Sequence, residues 1–180
     1  AFLRKQLKVV LDDIKFDAIK TGMLGRTDII ECIYDVLQKN AKNIPLILDP
    51  VMVATSGDIL LKKNAIKSLK KLISKAAVVT PNIDEAEILA EMKIKNLADM
   101  KVAAKKIKDL GCKAVLLKGG HLNFPDKKIH SILLDENNKF HQITNQKIGK
   151  KNIHGTGCTL ASALACNIAK KLPLKTAAQK

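Results

Sequence analysis

The segment whose residues are best suited to binding or catalysis is a glycine-rich turn that leads into an apolar stretch. Residues 154–158 read His-Gly-Thr-Gly-Cys, and the apolar pattern after them predicts a helix over 158–171. Backbone N–H groups in the first turn of a helix have no intrahelical partner, and the helix dipole favours negative charge there. Gly155, Thr156 and Gly157 are therefore candidates for a cradle that binds a phosphoryl group. A tight turn before a helix, without any ligand, explains the same residues.

Cys158 adds a reactive side chain to this turn. A helix N-terminus favours the thiolate form of a cysteine, so Cys158 is a candidate base or hydrogen-bonding group for a substrate hydroxyl. The alternative is a buried helix residue. The other cysteines, Cys32, Cys112 and Cys166, lie in apolar stretches and are predicted to be small core residues. No cysteine spacing indicates a zinc site or a disulfide framework, which favours a reducing compartment.

Two acidic side chains follow predicted strands. Asn82 and Glu85 come after a strand that Pro81 ends, and their spacing matches a helix capping box. Glu85 is also a candidate for holding Mg²⁺ through water, because Mg²⁺ keeps several waters and takes few carboxylates. Asp49, at the end of another strand, would supply a second carboxylate for the same ion. Acids and an anion cradle in one chain favour phosphoryl transfer with Mg²⁺.

A lysine also stands at the end of a predicted strand. Lys118 follows an apolar run and precedes Gly119 and Gly120. Its ammonium group would bind nucleotide phosphates as a point charge. The alternative is an ordinary surface lysine, one of the 30 in the sequence.

The elements that must position these residues alternate along the chain. Short apolar runs predict strands, and apolar residues at helical spacing predict helices. Strands are predicted over 17–20, 46–49, 77–80 and 114–117, and helices over 2–13, 27–39, 61–74, 84–92 and 97–110. Antiparallel strands over 130–134, 139–144 and 146–150, the helix over 158–171 and a last helix after Pro173 complete the prediction.

Four continuous apolar strands, each followed by a helix, indicate an α/β fold whose parallel sheet is covered on both faces. In such sheets a ligand binds at the carboxyl ends of the strands. The segments that begin at Thr21, Asp49, Thr80 and Lys118 would share that edge. Because no linker or repeat interrupts the pattern, residues 1–180 are predicted to form one domain.

The formal net charge is +15, from 30 lysines, 2 arginines and 17 acidic residues. A non-catalytic nucleic-acid-binding module is one interpretation, because neutralising phosphates releases counterions. Such proteins favour arginine and stacking aromatic residues, and aromatics make up 3% of this chain. The lysines are spread over predicted helix faces, which favours a solvated surface and neither nucleic acid nor membrane as partner. No apolar run approaches the roughly 20 residues of a membrane span. We therefore expect a cytoplasmic protein.

Several of these motifs occur together in a known family. The stretches are DPVMVATSGD at 49–58, TPNIDEAE at 80–87, LKGGH at 117–121, NIHGTGCT at 152–159 and KTGML at 20–24. In this order and spacing they resemble the hydroxymethylpyrimidine/phosphomethylpyrimidine kinases of thiamine biosynthesis, in the ribokinase-like superfamily. The resemblance implies a three-layer α/β/α sandwich with a mainly parallel sheet. It also implies transfer of the ATP γ-phosphoryl group, with Mg²⁺, to 4-amino-5-hydroxymethyl-2-methylpyrimidine and then to its monophosphate.

The resemblance assigns a role to each candidate residue. It makes Gly155, Thr156 and Gly157 the family's anion hole. Cys158 stands where most ribokinase-like sugar kinases have an aspartate base, and a cysteine there is characteristic of the pyrimidine kinases and of some pyridoxal kinases. The remaining assignments are Asn82 and Glu85 for Mg²⁺ and phosphate, Asp49 for the same network, Lys118 for nucleotide phosphates, and Met23 and Val51 for the pyrimidine ring.

The sequence departs from the family pattern at its two ends. Family members begin with a strand and a Gly-rich segment whose Asp helps to bind the pyrimidine, and nothing here matches it. Their C-terminal helices, which help to build the adenine pocket, also continue further. We therefore expect the implied sandwich to be truncated at both ends. The alternative function is that of a pyridoxal-type vitamin kinase of the same superfamily, because Cys158 fits pyrimidine kinases and pyridoxal kinases alike. A homodimer is expected.

Overall fold

The computed structural model describes residues 2–52, 61, 63–147 and 155–180. The described strands are β1 (Ile19–Thr21), β2 (Leu46–Leu48), β3 (Val78–Val79), β4 (Ala114–Leu117), β5 (Lys128–Leu134) and β6 (Phe140–Gln146). The helices are α1 (Phe2–Asp13), α2 (Thr27–Asn40), α3 (Lys63–Ile73), α4 (Ile83–Ala90), α5 (Leu97–Lys108), α6 (Thr156–Ala169) and α7 (Leu174–Gln179).

The six strands form one sheet whose spatial order is their order in the chain, β1 to β6. Strands β1 to β4 run parallel, and β5 and β6 are added as an antiparallel hairpin. Strands β2 to β4 are wholly apolar because both of their faces are covered, whereas β1 is half-buried and carries Lys20 at its centre. The predicted parallel sheet with an antiparallel extension is therefore confirmed.

Helices cover both faces of the sheet, which gives the expected α/β/α layers. Each crossover moves to the next strand in the same direction, so right-handed connections place α2 to α5 on one face. The core on that face contains Leu48, Val79 and Leu117, and α1 packs beside α2. Helices α6 and α7 cover the opposite face, where the core contains Ile47 and Val78. The sheet separates the two cores.

Two local predictions differ from the structure. The strand expected over 146–150 is not formed at its start, because Gln146 is the last residue of β6 and Lys147 lies outside any strand, while residues 148–150 fall outside the described part. Cys166 is exposed on α6 instead of buried in a core. Only Cys112 among the predicted core cysteines is fully buried, and burial raises the pKa of its thiol to about 12.

Most lysines in the described ranges are exposed, which agrees with a solvated basic surface. The lysines that are half-buried are Lys20, Lys70, Lys108, Lys118 and Lys128. Among the residues that the structure describes, no helix is both long and apolar enough to cross a membrane.

Candidate active site

Polar side chains replace apolar ones at the carboxyl ends of the parallel strands. Ile47 and Val78 are paired across β2 and β3, and both belong to the core under α6. Because side chains on one face of a strand recur every second residue, Asp49 and Thr80 lie one step further along the same face. Lys118 stands in the same relation to Leu116 of β4. The predicted common edge therefore presents a row of polar groups towards α6.

Backbone hydrogen bonds fix these residues beyond the strands themselves. The Asp49 N–H donates to the Thr21 carbonyl at 3.0 Å, and the Thr80 N–H donates to the Leu48 carbonyl at 3.0 Å. The Lys118 N–H donates to the Pro81 carbonyl at 2.8 Å. The sheet ladder thus continues into the site, so these side chains start from rigid positions.

Asp49 is the centre of a buried polar cluster. Its Oδ1 atom accepts a hydrogen bond from Lys118 Nζ at 3.0 Å and another from Thr80 Oγ1 at 3.1 Å. The side chain of Asp49 is 2% exposed and that of Lys118 is 16% exposed. A buried carboxylate of this kind requires a charged and hydrogen-bonded partner. The interpretation of Lys118 as an ordinary surface lysine is therefore wrong.

Asn82 and Glu85 form a complete capping box at the start of α4. The Glu85 N–H donates to Asn82 Oδ1 at 2.9 Å, and the Asn82 N–H donates to Glu85 Oε2 at 2.8 Å. Glu85 is 2% exposed, and this burial raises the pKa of its carboxyl to about 7. The backbone N–H of Asn82 and the charge of Lys118 act against the rise, while the charge of Asp49 adds to it. Capping and proximity to the Asp49 cluster are both properties of this one side chain.

The glycine-rich turn lies beside Lys118. Helix α6 begins at Thr156, two residues earlier than predicted, and Gly155 precedes it with a φ of +82°, where a residue with a side chain would be strained. A Cβ placed on Gly157 would lie 3.3 Å from Lys118 Nζ. Lys118 thus joins the N-terminus of α6 to the Asp49 carboxylate. His154 falls outside the described residues.

Cys158 is exposed in the first turn of α6. The interpretation as a buried helix residue is therefore wrong. The thiol lies at the same edge of the sheet as the polar cluster, because Gly157 precedes it and lies against Lys118.

The two residues expected to contact a pyrimidine ring lie at this edge as well. Met23 follows β1 and is 59% exposed. Val51 is half-buried after β2, and its N–H donates to the Asp49 carbonyl at 2.9 Å. The structure brings both close to the carboxyl ends of their strands, and their role towards a ligand stays a prediction.

A groove of about 500 Å³ opens next to the N-terminus of α6. Its lining includes Gly155, Thr156, Thr159, Asn145, Ala177 and Ala178. The sequence carries no local signal for this groove, because it forms only where α6, α7 and the end of β6 come together. It extends the candidate site away from Lys118 along the side of α6.

The carboxylates of the site do not form a metal cage by themselves. In the part of the chain that the structure describes, no group of three or more His, Cys, Asp and Glu side chains could hold a metal ion. Asp49 and Glu85 are two buried acids, and the charge of Asp49 acts on the Glu85 carboxyl. Two carboxylates are a donor set that fits Mg²⁺ bound mostly through water and phosphate oxygens.

Comparison with known proteins places the chain in a family. The family model of phosphomethylpyrimidine kinase matches residues 1–180. The chain belongs to the phosphomethylpyrimidine kinase family. A hydroxymethylpyrimidine/phosphomethylpyrimidine kinase of Bacillus subtilis is 41% identical over 169 residues, which are 93% of this chain and 61% of that protein.

Solved structures of related kinases share the fold. A phosphomethylpyrimidine kinase from Clostridium difficile 630 has a TM-score of 0.82 at 38% identity, over 98% of this chain and 70% of that one. The ADP complex of Bacillus subtilis pyridoxal kinase has a TM-score of 0.87 at 33% identity, over 98% of this chain and 64% of that one. The chain spans about three fifths of the length of the Bacillus subtilis pyrimidine kinase.

Proposed function

We propose that the full-length protein transfers the γ-phosphoryl group of ATP to the hydroxymethyl group of 4-amino-5-hydroxymethyl-2-methylpyrimidine and then to the resulting monophosphate. The observation that carries this proposal is the position of Lys118. Its ammonium group bonds to buried Asp49 on one side and lies against Gly157, in the first turn of α6, on the other. A cation between a carboxylate and an anion-binding turn is suited to a phosphoryl group in transfer.

The N-terminus of α6 would receive the transferred phosphoryl group. Gly155, Thr156 and Gly157 supply the turn, and the N–H groups of this first turn would bind the equatorial oxygens. The groove beside Gly155 and Thr156 would hold the rest of the nucleotide. Support for this comes from the related pyridoxal kinase that was solved as an ADP complex.

Asp49, Glu85 and Asn82 would hold Mg²⁺ and order the phosphates around it. Burial leaves the Glu85 carboxyl with a pKa of about 7, so the acid is only partly ionised near neutral pH. A divalent cation nearby would favour ionisation of Glu85 beside Asp49. When bound, Mg²⁺ would neutralise negative charge on the phosphates during transfer.

Cys158 would receive the proton of the acceptor hydroxyl. It is exposed at the turn where the phosphoryl group would lie. Met23 and Val51 would contact the pyrimidine ring from the ends of β1 and β2.

A pyridoxal kinase is the second candidate function. The similarity to Bacillus subtilis pyridoxal kinase supports it, because its TM-score of 0.87 is above the 0.82 of the pyrimidine kinase structure. Cys158 fits either acceptor.

The test is ADP release by the full-length protein with Mg-ATP and one of three acceptors: the hydroxymethylpyrimidine, its monophosphate or pyridoxal. We expect release with both pyrimidines and a second turnover that yields the diphosphate. Release with pyridoxal alone would establish the second candidate. Folded protein that releases no ADP above the blank with any acceptor would overturn both.

The matched residue test is Lys118→Met against Lys67→Met. Lys67 is an exposed lysine of α3 on the other face of the sheet, so its variant controls for loss of one charge. We expect kcat to fall by about 10²-fold or more for Lys118→Met, as for other groups that stabilise transition-state charge. Equal rates for the two variants would remove Lys118 from the mechanism.

The proposal also covers the localisation, the oligomeric state and the binding partners of the enzyme. We propose a cytoplasmic homodimer that acts on small molecules and binds neither nucleic acid nor membranes. Light scattering of the full-length protein tests the dimer. Titration with duplex and single-stranded nucleic acid across a salt series tests the alternative module, which would show micromolar affinity with a steep salt dependence.

A further inference from the structure

Lys20 is a half-buried lysine for which the described part of the chain offers no anionic partner. Three of the other half-buried lysines have partners: Lys70 bonds to Glu91, Lys108 bonds to Asn138 and to backbone carbonyls, and Lys118 bonds to Asp49. Lys20 lies in the middle of β1 and is neither in an ion pair nor in a side-chain hydrogen bond within the described residues. A partly buried ammonium group that pairs with no carboxylate is a candidate for binding an anionic ligand.

The register of the sheet fixes the face on which Lys20 lies. Lys20 is paired with Ile47 of β2, and Ile47 belongs to the core under α6. Lys20 therefore points to the same face as Asp49 and Thr80. Lys128 is also half-buried, but its charge acts on the carboxylate of Asp126. It alternates with Ile132 and so points to the opposite face, where the α5 core lies.

The side chain of Lys20 runs towards the carboxyl end of β1. A Cβ placed on Gly22 would lie 3.1 Å from Lys20 Nζ. Gly22 follows β1, directly before Met23, as Asp49 follows β2. The ammonium group of Lys20 thus reaches the edge that carries the candidate active site. Helix α6, which begins with the anion-binding turn, packs over β1 and β2 on this face.

We propose that Lys20 binds the phosphate of the monophosphate acceptor. This inference rests on the proposed function, in which one site takes an uncharged alcohol first and a phosphorylated acceptor second. The second acceptor brings a charge of about −2, which the first lacks. Lys118 is already engaged with Asp49, whereas no carboxylate within the described residues pairs with Lys20. An ammonium group beside Gly22 and Met23 gives the site its capacity for the second substrate.

The chemistry of the second transfer fits a cation at this place. An oxygen of the acceptor phosphate attacks the γ-phosphorus and forms a new P–O bond. The bond from the γ-phosphorus to the bridging oxygen breaks, and ADP leaves with its electron pair. An ionised phosphate has no proton to lose, but it repels the phosphates of ATP. The ammonium of Lys20 would reduce this repulsion and orient the attacking oxygen.

The experiment compares Lys20→Met, Lys20→Arg and Lys67→Met in the full-length protein at pH 8, where the acceptor phosphate is fully ionised. The readouts are kcat and KM for the hydroxymethylpyrimidine and for its monophosphate at saturating Mg-ATP. For Lys20→Met we expect KM for the monophosphate to rise at least about tenfold, the usual effect of losing a charged hydrogen bond. KM for the uncharged pyrimidine should change by less than about threefold, and Lys20→Arg should recover most of the loss.

Two results would overturn the inference: equal losses on both acceptors in Lys20→Met, or no loss on either. The thermal midpoint of each variant shows whether the protein is still folded, and a misfolded Lys20→Met leaves Lys20→Arg and Lys20→Gln for the same comparison. Calorimetric measurement of inorganic phosphate binding distinguishes failure of the Lys20 inference from failure of the proposed function. If the wild-type protein phosphorylates neither pyrimidine, the proposed function fails. Weaker phosphate binding by Lys20→Met would still support the subsite, and equal binding would refute it.

Discussion

Glu85 shows how burial changes the chemistry of a single carboxyl group. It is almost fully covered, and burial raises its pKa to about 7 from an ordinary value of 4.5. The same carboxyl group accepts the N–H of Asn82, so it is held in place whether or not it is ionised. A carboxyl group with this pKa gains or loses its charge near neutral pH, so the proposed binding of Mg²⁺ at this site would depend on pH.

The first prediction concerns the stability of the metal-free protein. A raised pKa means that the folded state holds a proton which the unfolded state releases, so Glu85 lowers the free energy of unfolding as pH rises from 4.5 to 7. Glu85→Gln removes this titration and should lessen the fall by at most about 3 kcal/mol. Denaturant unfolding of wild type and variant at several pH values measures the difference. Parallel curves would show that Glu85 ionises normally.

The second prediction separates the two transfers through Cys158. The hydroxymethyl acceptor must lose a proton to the enzyme, whereas an ionised phosphate acceptor needs no base. Cys158→Ala should therefore lower kcat for the hydroxymethylpyrimidine by about 10² or more and affect the monophosphate much less, with ATP binding nearly unchanged. Steady-state rates on both acceptors test this, with Cys166→Ala on the exposed face of α6 as the control. Equal losses would assign Cys158 to packing or phosphate binding.

At the scale of elements, the hairpin of β5 and β6 holds the end of β4 in place. The Lys118 N–H donates to Pro81 on one side, and the Gly119 N–H approaches Ser131 Oγ at 3.4 Å on the other. A Cβ on Gly119 would collide with the carbonyl oxygen of His130. The close approach of two backbones at this point requires glycine.

The third prediction concerns that contact. Gly119→Ala must push β5 away from β4, which displaces Lys118 next to it. We expect the thermal midpoint to fall and kcat to drop, whereas Gly120→Ala should be nearly neutral because open space surrounds Gly120. Thermal unfolding and ADP release of the two variants make the comparison. A Gly119→Ala protein with normal activity would show that the hairpin does not position Lys118.

The elements were predictable from the sequence to different degrees. Strands β2, β3 and β4 were the most predictable, because a strand covered on both faces must be apolar and they stand out as Leu46–Leu48, Val78–Val79 and Ala114–Leu117. The half-buried β1 lacks this continuous apolar pattern. The row of polar residues after these strands was also predictable from the sequence, since a parallel sheet brings the carboxyl ends of its strands together. The groove at α6 could not be predicted from the sequence, because its residues come from three distant segments and share no local pattern. The partner of Lys118 and the burial of Glu85 likewise depend on tertiary packing.

At the scale of the whole molecule, the net charge of +15 provides a field that attracts anions. Most exposed helix lysines lie on α1, α3 and α5, whereas α6 contains none. Such a field raises the encounter rate with charged substrates and is weakened by salt.

The fourth prediction uses the two acceptors to detect this field. At saturating ATP, kcat/KM for the monophosphate should fall with rising ionic strength, while kcat/KM for the uncharged pyrimidine should stay nearly constant. Assays between about 0.01 M and 0.5 M salt cover the range over which the Debye length shortens to a few ångströms. The same salt dependence for both acceptors would mean that the surface charge has no part in substrate capture.

The cysteines differ in exposure, so their alkylation can report whether nucleotide occupies the proposed site. Cys158 is exposed at the proposed anion-binding turn, Cys166 is exposed further along α6, and the thiol of Cys112 is buried with a pKa of about 12. A thiol-alkylating reagent would therefore label the first two and leave Cys112 intact. Nucleotide at the turn would shield Cys158 but not Cys166. The ratio of the two labelled peptides, measured by mass spectrometry, would report ligand binding without any assay of turnover.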